Sequence, residues 1–160
     1  MAGVKIALKP GGGCMPEKET IERAHQDERE GKSPSTQAGE FVHEEIEHVK
    51  EGKHGARSAK QAIAIGLSKA RRAGVKLPPP KAGASEKTRT QASRDSKKGQ
   101  SGGSQEPSRK RSQAITKALQ KEGHSAASHQ ALSRQARSSA QHRSAASRSP
   151  SSSRNRSEPG

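Results

Sequence analysis

The large apolar side chains of this chain cluster between Phe41 and Leu77. When residues 35–51 are placed on a helix at 100° per residue, their apolar side chains fall in a single stripe, and most of the glutamates of this segment lie outside that stripe. The stripe contains Ala38, Phe41, Val42, Ile46 and Val49. This pattern predicts an amphipathic, acidic helix over about residues 35–51.

Two further helices are predicted on either side of this one. Residues 17–30 begin after Pro16, which the first turn of a helix tolerates, and end at Gly31. Residues 59–73 begin with a capping-box pattern at Ser58 and Gln61 and end at Gly74. In this last helix the small and apolar residues share one face, so we expect it to form a hairpin with helix 35–51.

The remaining segments are poor in residues that can be buried. Residues 81–108 are rich in Gly, Ser, Lys and Gln and indicate a flexible linker, whereas residues 109–122 predict a weak helix that ends at Gly123. Residues 109–148 are basic, rich in Ala, Ser and Arg, and expected to be only partly helical. We expect a disordered lead over residues 1–15, where Met15 is an alternative initiator, and a disordered tail over residues 149–160.

Composition sets the expected fold class. Leu, Ile, Val and Phe number sixteen among 160 residues, and the formal net charge is +15. Chains with so few large apolar residues and so high a charge rarely form a full core. The prediction is a mostly disordered chain with a small all-α block of two or three short helices over residues 16–80. That hairpin is expected to be marginal, and to need a ligand, a protein partner or self-association through residues 38–77.

Charge is sorted along the sequence. Residues 16–52 hold eleven acidic against five basic side chains, residues 53–81 hold eight basic and no acidic ones, and residues 82–160 hold sixteen basic against five acidic ones. Such a surplus favours binding to a polyanion. The alternative for the central block is that the acidic helix packs on the basic one and cancels its charge.

Fourteen cations are therefore candidates for contact with nucleic-acid phosphates. Their binding would be electrostatic and nearly independent of base sequence. They are Lys53, Arg57, Lys60, Lys69, Arg71, Arg72, Lys76, Arg109, Lys110, Arg111, Lys117, Lys121, Arg134 and Arg137.

Other chemistry is not expected. Phe41 is the single Phe, Trp or Tyr, which argues against binding of single strands by base stacking, and Cys14 is the single cysteine. His43 and His48 are five residues apart and miss the one-turn spacing of a zinc-protease helix. We therefore predict no catalytic residues, no metal, no cofactor and no small-molecule substrate. No apolar run has membrane-spanning length, so no membrane association is predicted.

Three functions remain open. The first is a nucleoid-type protein that binds DNA or RNA in the cytoplasm. The second is a stress-related hydrophilin, because the mean hydropathy is −1.13 and sixteen residues are glycine. The third is an adaptor that binds another protein through the helical hairpin.

Three stretches of the sequence resemble a known family. They are residues 33–42 (SPSTQAGEFV), residues 52–58 (GKHGARS) and residues 60–74 (KQAIAIGLSKARRAG). The segment of about residues 17–80 is similar to a family of small basic bacterial proteins of unknown function. This resemblance implies a bacterial, cytoplasmic, non-enzymatic protein and assigns no site residues. Residues 109–148 resemble, in composition only, the tails of linker histones.

Overall fold

The computed structural model describes residues 16–81, 83–102 and 108–147. The expected disordered lead and the expected disordered tail lie outside these ranges. Within them the chain forms α-helices and one short 3₁₀ turn at Ser125–Ala127. The α-helices are α1 (Lys18–Arg29), α2 (Pro34–Lys50), α3 (Ala59–Arg72), α4 (Glu86–Gln100), α5 (Arg109–Gln120) and α6 (His129–Ser147).

Helices α2 and α3 begin at the serines that precede them. The side chain of Ser33 accepts a hydrogen bond from the Thr36 N–H, and Pro34 occupies the first turn, where its missing N–H has no cost. The side chain of Ser58 accepts from the Gln61 N–H in the same way. Both helices start and end within about two residues of the predicted spans, as do α1 and α5.

Helices α2 and α3 pack against each other closely. A Cβ on Gly66 of α3 would lie 2.7 Å from the Cα of Val42 in α2, so no side chain fits between the two backbones. Ala70 shares a cluster with Phe41 near the start of α2, and Ala62 shares one with Val49 near its end. The two helices therefore run in opposite directions, as the predicted hairpin requires.

Two apolar clusters hold the helices together. The first joins α2 and α3 to the 3₁₀ turn, and its buried residues are Val49, Ala56, Ala62, Ala126 and Ala127. The second joins α1, α2 and α3, and its buried residues are Ala24, Ala38, Phe41 and Ala70. Partly buried residues of α1, of α3 and of the segment after α3 pack against the second cluster.

The prediction of a mostly disordered chain is wrong. Helices cover most of the described residues, and α1, α2, α3, α4 and α6 form a connected set of helix contacts, while the end of α5 is hydrogen-bonded to the loop between α2 and α3. The error has a physical cause: nine of the twelve buried apolar residues are alanines, which a count of Leu, Ile, Val and Phe ignores. Alanine brings little apolar area, but it has the highest helix propensity and lets helices approach closely.

Helix α4 lies in the segment that was predicted to be a flexible linker. Ser85 caps its start, and the buried carboxylate of Asp95 accepts hydrogen bonds from Ser68 (2.6 Å) and Arg72 (2.7 Å) of α3. A Cβ on Gly99 would collide with the carbonyl oxygen of Arg71, so α4 and the end of α3 are in direct backbone contact. One buried carboxylate and one glycine therefore dock a helix that has almost no apolar face.

The carboxyl-terminal region docks on the loop between α2 and α3. The N–H of Gly55 donates to the carbonyl of Leu119 (2.9 Å), and the N–H of Ala56 donates to that of Gly123 (3.0 Å). Ala126 and Ala127 then insert into the first apolar cluster. Among the described residues, Ile115 is the exposed large apolar side chain, and no described helix has the length and apolarity needed to cross a bilayer.

Candidate functional sites: a basic groove and a buried histidine–carboxylate cluster

Lys69 is not a surface cation, contrary to its prediction as a phosphate contact. Its side chain is buried, and its Nζ lies 3.1 Å from Glu44 Oε1 and 2.8 Å from Glu45 Oε2. All three residues face the contact between α2 and α3. The acidic helix α2 therefore neutralises one cation of the basic helix α3. For this one residue, the alternative in which the acidic helix cancels the charge of the basic helix is correct.

Three other predicted cations are exposed but have acidic partners. Lys53 lies between Glu17 (3.2 Å) and Glu51 (3.0 Å), and its pKa is raised by hydrogen bonds to Glu51 and Glu17. Arg57 contacts Glu122 at 3.1 Å, and Arg72 contacts the buried Asp95. These pairs reduce the positive potential of the central block without removing its cations from the surface.

The structure brings three of the predicted cations together in one groove. Arg57 and Lys60 lie at the start of α3, and Arg134 lies on α6, more than 70 residues later in the chain. The groove has a volume of about 370 Å³, and no carboxylate lines it. Its other lining residues are Ser58, Ala59, Ser125, Ala126, Ala131, Gln135 and Ser138.

Two further features make this groove attractive to an anion. It contains the amino-terminal end of α3, where unpaired N–H groups and the helix dipole favour negative charge. Arg134 also lines a neighbouring depression of about 280 Å³ together with Arg137, His129, Gln130 and Ser133. The positive surface therefore continues along α6.

The remaining predicted cations lie outside the groove. Arg71 is half-buried, and its guanidinium donates weakly to the carbonyl of Pro78 (3.5 Å). The exposed Lys110 and Lys117 of α5 and Lys121, which directly follows it in helical conformation, share one helical face, because they are seven and four residues apart. Within the described residues no acidic side chain forms an ion pair with the other exposed members of this group: Lys76, Arg109 and Arg111.

A second group of polar residues is buried between α2 and the loop that follows it. Glu45 and His48 are one helical turn apart in α2, and His54 follows the turn at Gly52. Their exposed fractions are 0%, 5% and 1%, respectively. One ligand atom from each of the three lies within 4.8 Å of the other two, a geometry that could hold a metal ion.

The outer side of this cluster is built from charged groups at the surface. His48 Nε2 lies 3.0 Å from Glu17 Oε1, and Lys53 approaches the same oxygen at 3.2 Å. Hydrogen bonds from His48 and Lys53 hold the pKa of Glu17 below its usual value. Glu17 is therefore an ionised acceptor at neutral pH, and it fixes the orientation of the His48 ring.

The sequence analysis named no metal ligands, and the structure shows why this cluster was missed. His43, the partner considered for His48, is an exposed residue that faces Glu47 at 4.0 Å. The residue on the same face as His48 is Glu45, at the Glu-x-x-His spacing by which helices of metal-binding bundles present two ligands. His54 lies in a loop, and helical periodicity gives no indication of its position.

Comparison with known proteins confirms the resemblance that the sequence suggested. Residues 19–81 match the model of a family of unknown function (DUF6496). The match includes α1, α2, α3 and all three residues of the buried cluster, whereas α5 and α6 lie beyond it. No curated protein and no solved structure matches the chain.

Proposed function

We propose that this protein is a non-catalytic nucleic-acid-binding protein, and that the groove between the start of α3 and α6 binds backbone phosphates of DNA or RNA. The observation that carries the proposal is the convergence of Arg57, Lys60 and Arg134 on a groove without carboxylates. These cations come from distant parts of the chain, so their proximity results from the fold. In a bacterial cell, such binding would place the protein on the nucleoid.

Contact with the phosphate backbone suits this surface better than recognition of bases. Phe41 is the only Phe, Trp or Tyr of the chain, and it is fully buried in the second apolar cluster. No aromatic ring of these types is available to stack on an unpaired base. We therefore expect binding to duplexes through charge, with little dependence on base sequence.

A salt titration of the full chain with a labelled duplex tests this proposal. If six to ten phosphates are contacted, the affinity falls about 10³- to 10⁵-fold between 50 and 200 mM salt. Replacing Lys60, Arg134 and Arg137 by alanine removes three cations of the groove and of the depression beside it. Each lost phosphate contact lowers the slope of log affinity against log salt by about 0.9, so the triple variant loses nearly three units.

The matched control removes the same charge elsewhere. Arg94, Lys97 and Lys98 are exposed cations of α4, which docks at the opposite end of α3, so their replacement by alanine leaves the groove intact. Parallel titrations with DNA and RNA duplexes show which polymer binds more tightly. Equal losses in the two triple variants would reject the groove as the site. Absence of binding at 50 mM salt would reject nucleic-acid binding and favour the hydrophilin or adaptor function.

A further inference from the structure

Each histidine of the buried cluster makes one hydrogen bond outward and turns its other ring nitrogen inward. His54 Nδ1 lies 3.1 Å from the carbonyl oxygen of Gly55, which can only accept, so this nitrogen donates the hydrogen bond. In the neutral ring the other nitrogen, Nε2, then carries a lone pair. It faces Glu45 Oε1 at 3.2 Å, and neither atom has a partner with hydrogen-bond geometry among the described residues.

His48 repeats this arrangement from the other side. Its Nε2 lies 3.0 Å from the carboxylate oxygen of Glu17 and donates a hydrogen bond to it. In the neutral ring its Nδ1 is then also an acceptor, and it is buried without a hydrogen-bond partner among the described residues. With both rings neutral, two imidazole lone pairs and a carboxylate oxygen converge without a hydrogen-bond donor between them.

Buried acceptors that face one another are costly unless a cation lies between them. The nearby charges point in the same direction. Glu44 and Glu45 are buried beside one ammonium group, that of Lys69, so the formal charges of these three side chains sum to −1. Lys69 approaches Glu45 through Oε2, so Oε1 stays free on the side of the histidines.

We propose that Glu45, His48 and His54 bind a divalent transition-metal ion of the Zn²⁺ class. Two imidazole nitrogens and one carboxylate oxygen are a donor set that Zn²⁺ and its first-row neighbours accept, whereas Ca²⁺ and Mg²⁺ prefer oxygen ligands alone. The hydrogen bonds of the two outer ring nitrogens, to Glu17 and to the Gly55 carbonyl, are the contacts that orient metal-bound histidines in proteins.

Such an ion would have a structural role. The ion would link helix α2 to the loop that carries His54. This loop is in turn hydrogen-bonded, through Gly55 and Ala56, to the end of α5 and to the residues that follow it. Arg57, which lines the basic groove, follows immediately. The three ligands are almost inaccessible to solvent, so the site is closed to substrates.

The direct test titrates the full chain, freed of metal by a chelator, with Zn²⁺ alone, followed by calorimetry. We expect one saturable site per chain and a melting temperature that rises with Zn²⁺ concentration, because the folded state binds the ion. Co²⁺ gives a second readout, since nitrogen ligands in a closed site strengthen and shift its visible absorption relative to the hydrated ion. Mg²⁺ should produce neither effect.

Substitutions assign the site to these residues. His54→Gln and Glu45→Gln should each weaken Zn²⁺ binding by more than the about 10- to 100-fold expected for Glu17→Gln, which removes an orienting contact only. His43→Gln is the matched control, because His43 is an exposed histidine of α2. The Zn²⁺ affinity of this variant should equal that of the wild type.

Two outcomes would overturn the proposal. One is wild-type protein that shows no saturable Zn²⁺ site and no change in melting temperature, which would mean that a proton shared by His54 and Glu45 occupies the cluster. The other is a site that His43→Gln abolishes and His54→Gln leaves intact. The wild-type titration decides the matter even where a variant fails to fold, and neither experiment depends on nucleic-acid binding.

Discussion

The unit formed by α1, α2 and α3 and the region formed by α5 and α6 use their charges in opposite ways. In the first, many acidic side chains are paired with basic ones, and the contact of Lys69 with Glu44 and Glu45 is buried. In the second, the predicted cations Lys117, Lys121 and Arg134 are exposed, and no described acidic residue forms an ion pair with them. Charge holds the first unit together and stays free for a ligand in the second.

The difference explains how a chain so rich in charge still packs. One lysine and two glutamates of the central unit lie in its interior, where their opposite charges are in contact, so charged residues contribute to the packing of the unit. Two of the exposed cations that have no ion pair among the described residues, Lys60 and Arg134, meet where the second region docks on the first. A basic groove at this junction exists only in the assembled fold.

The largest effect on stability is expected when the buried cation, Lys69, is removed. Lys69→Ala leaves Glu44 and Glu45 buried without their ammonium partner, so we expect the free energy of unfolding to fall by about 3–5 kcal/mol. Denaturant unfolding of the chelator-treated protein measures this loss. Lys60→Ala, an exposed cation of the same helix, should change stability by less than about 0.5 kcal/mol. Equal effects would mean that the buried pairs do not stabilise the unit.

The next effect concerns α4, which lies between the two regions in the sequence. Asp95→Ala removes the acceptor for Ser68, Arg72 and Gln91, at a cost of about 2–3 kcal/mol. Amide exchange of α4 should accelerate by the corresponding factor, while that of α2 stays slow. Glu86→Ala, in the exposed first turn of α4, should cost less than about 1 kcal/mol. Unchanged exchange in Asp95→Ala would show that α4 docks by other contacts.

Local sequence signals located four of the helices correctly. Caps at Ser33 and Ser58 and glycines such as Gly74, which has a φ of +100°, act within a few residues of the helix ends that they define. The predicted hairpin partner of α2 was also correct, because its apolar stripe needed a matching surface. These signals act between residues that are close in the sequence, so they can be recognised without knowledge of the fold.

Features that depend on distant residues were missed. Asp95 indicates a docking site for α4 only when Ser68 and Arg72 are known to lie beside it, and His54 joins the cluster only through the path of a loop. The cations of the basic groove were predicted, but their convergence in one groove was not. Lys69 shows the opposite error, because its sequence context gives no warning that it faces two glutamates.

The smallest expected effect on stability concerns the first residues of α3 and α5. Ser58 caps α3 with its side chain, whereas Ser108, at the same position before α5, makes no side-chain cap hydrogen bond. Ser58→Ala should therefore reduce the free energy of unfolding by about 1 kcal/mol, and Ser108→Ala should change it by only a few tenths. Thermal and denaturant unfolding of both variants against wild type resolve this difference. A loss in Ser108→Ala as large as that in Ser58→Ala would show that Ser108 also caps its helix and that α5 unfolds together with the core, because the loss of a cap reaches global stability only in a helix that unfolds with the core.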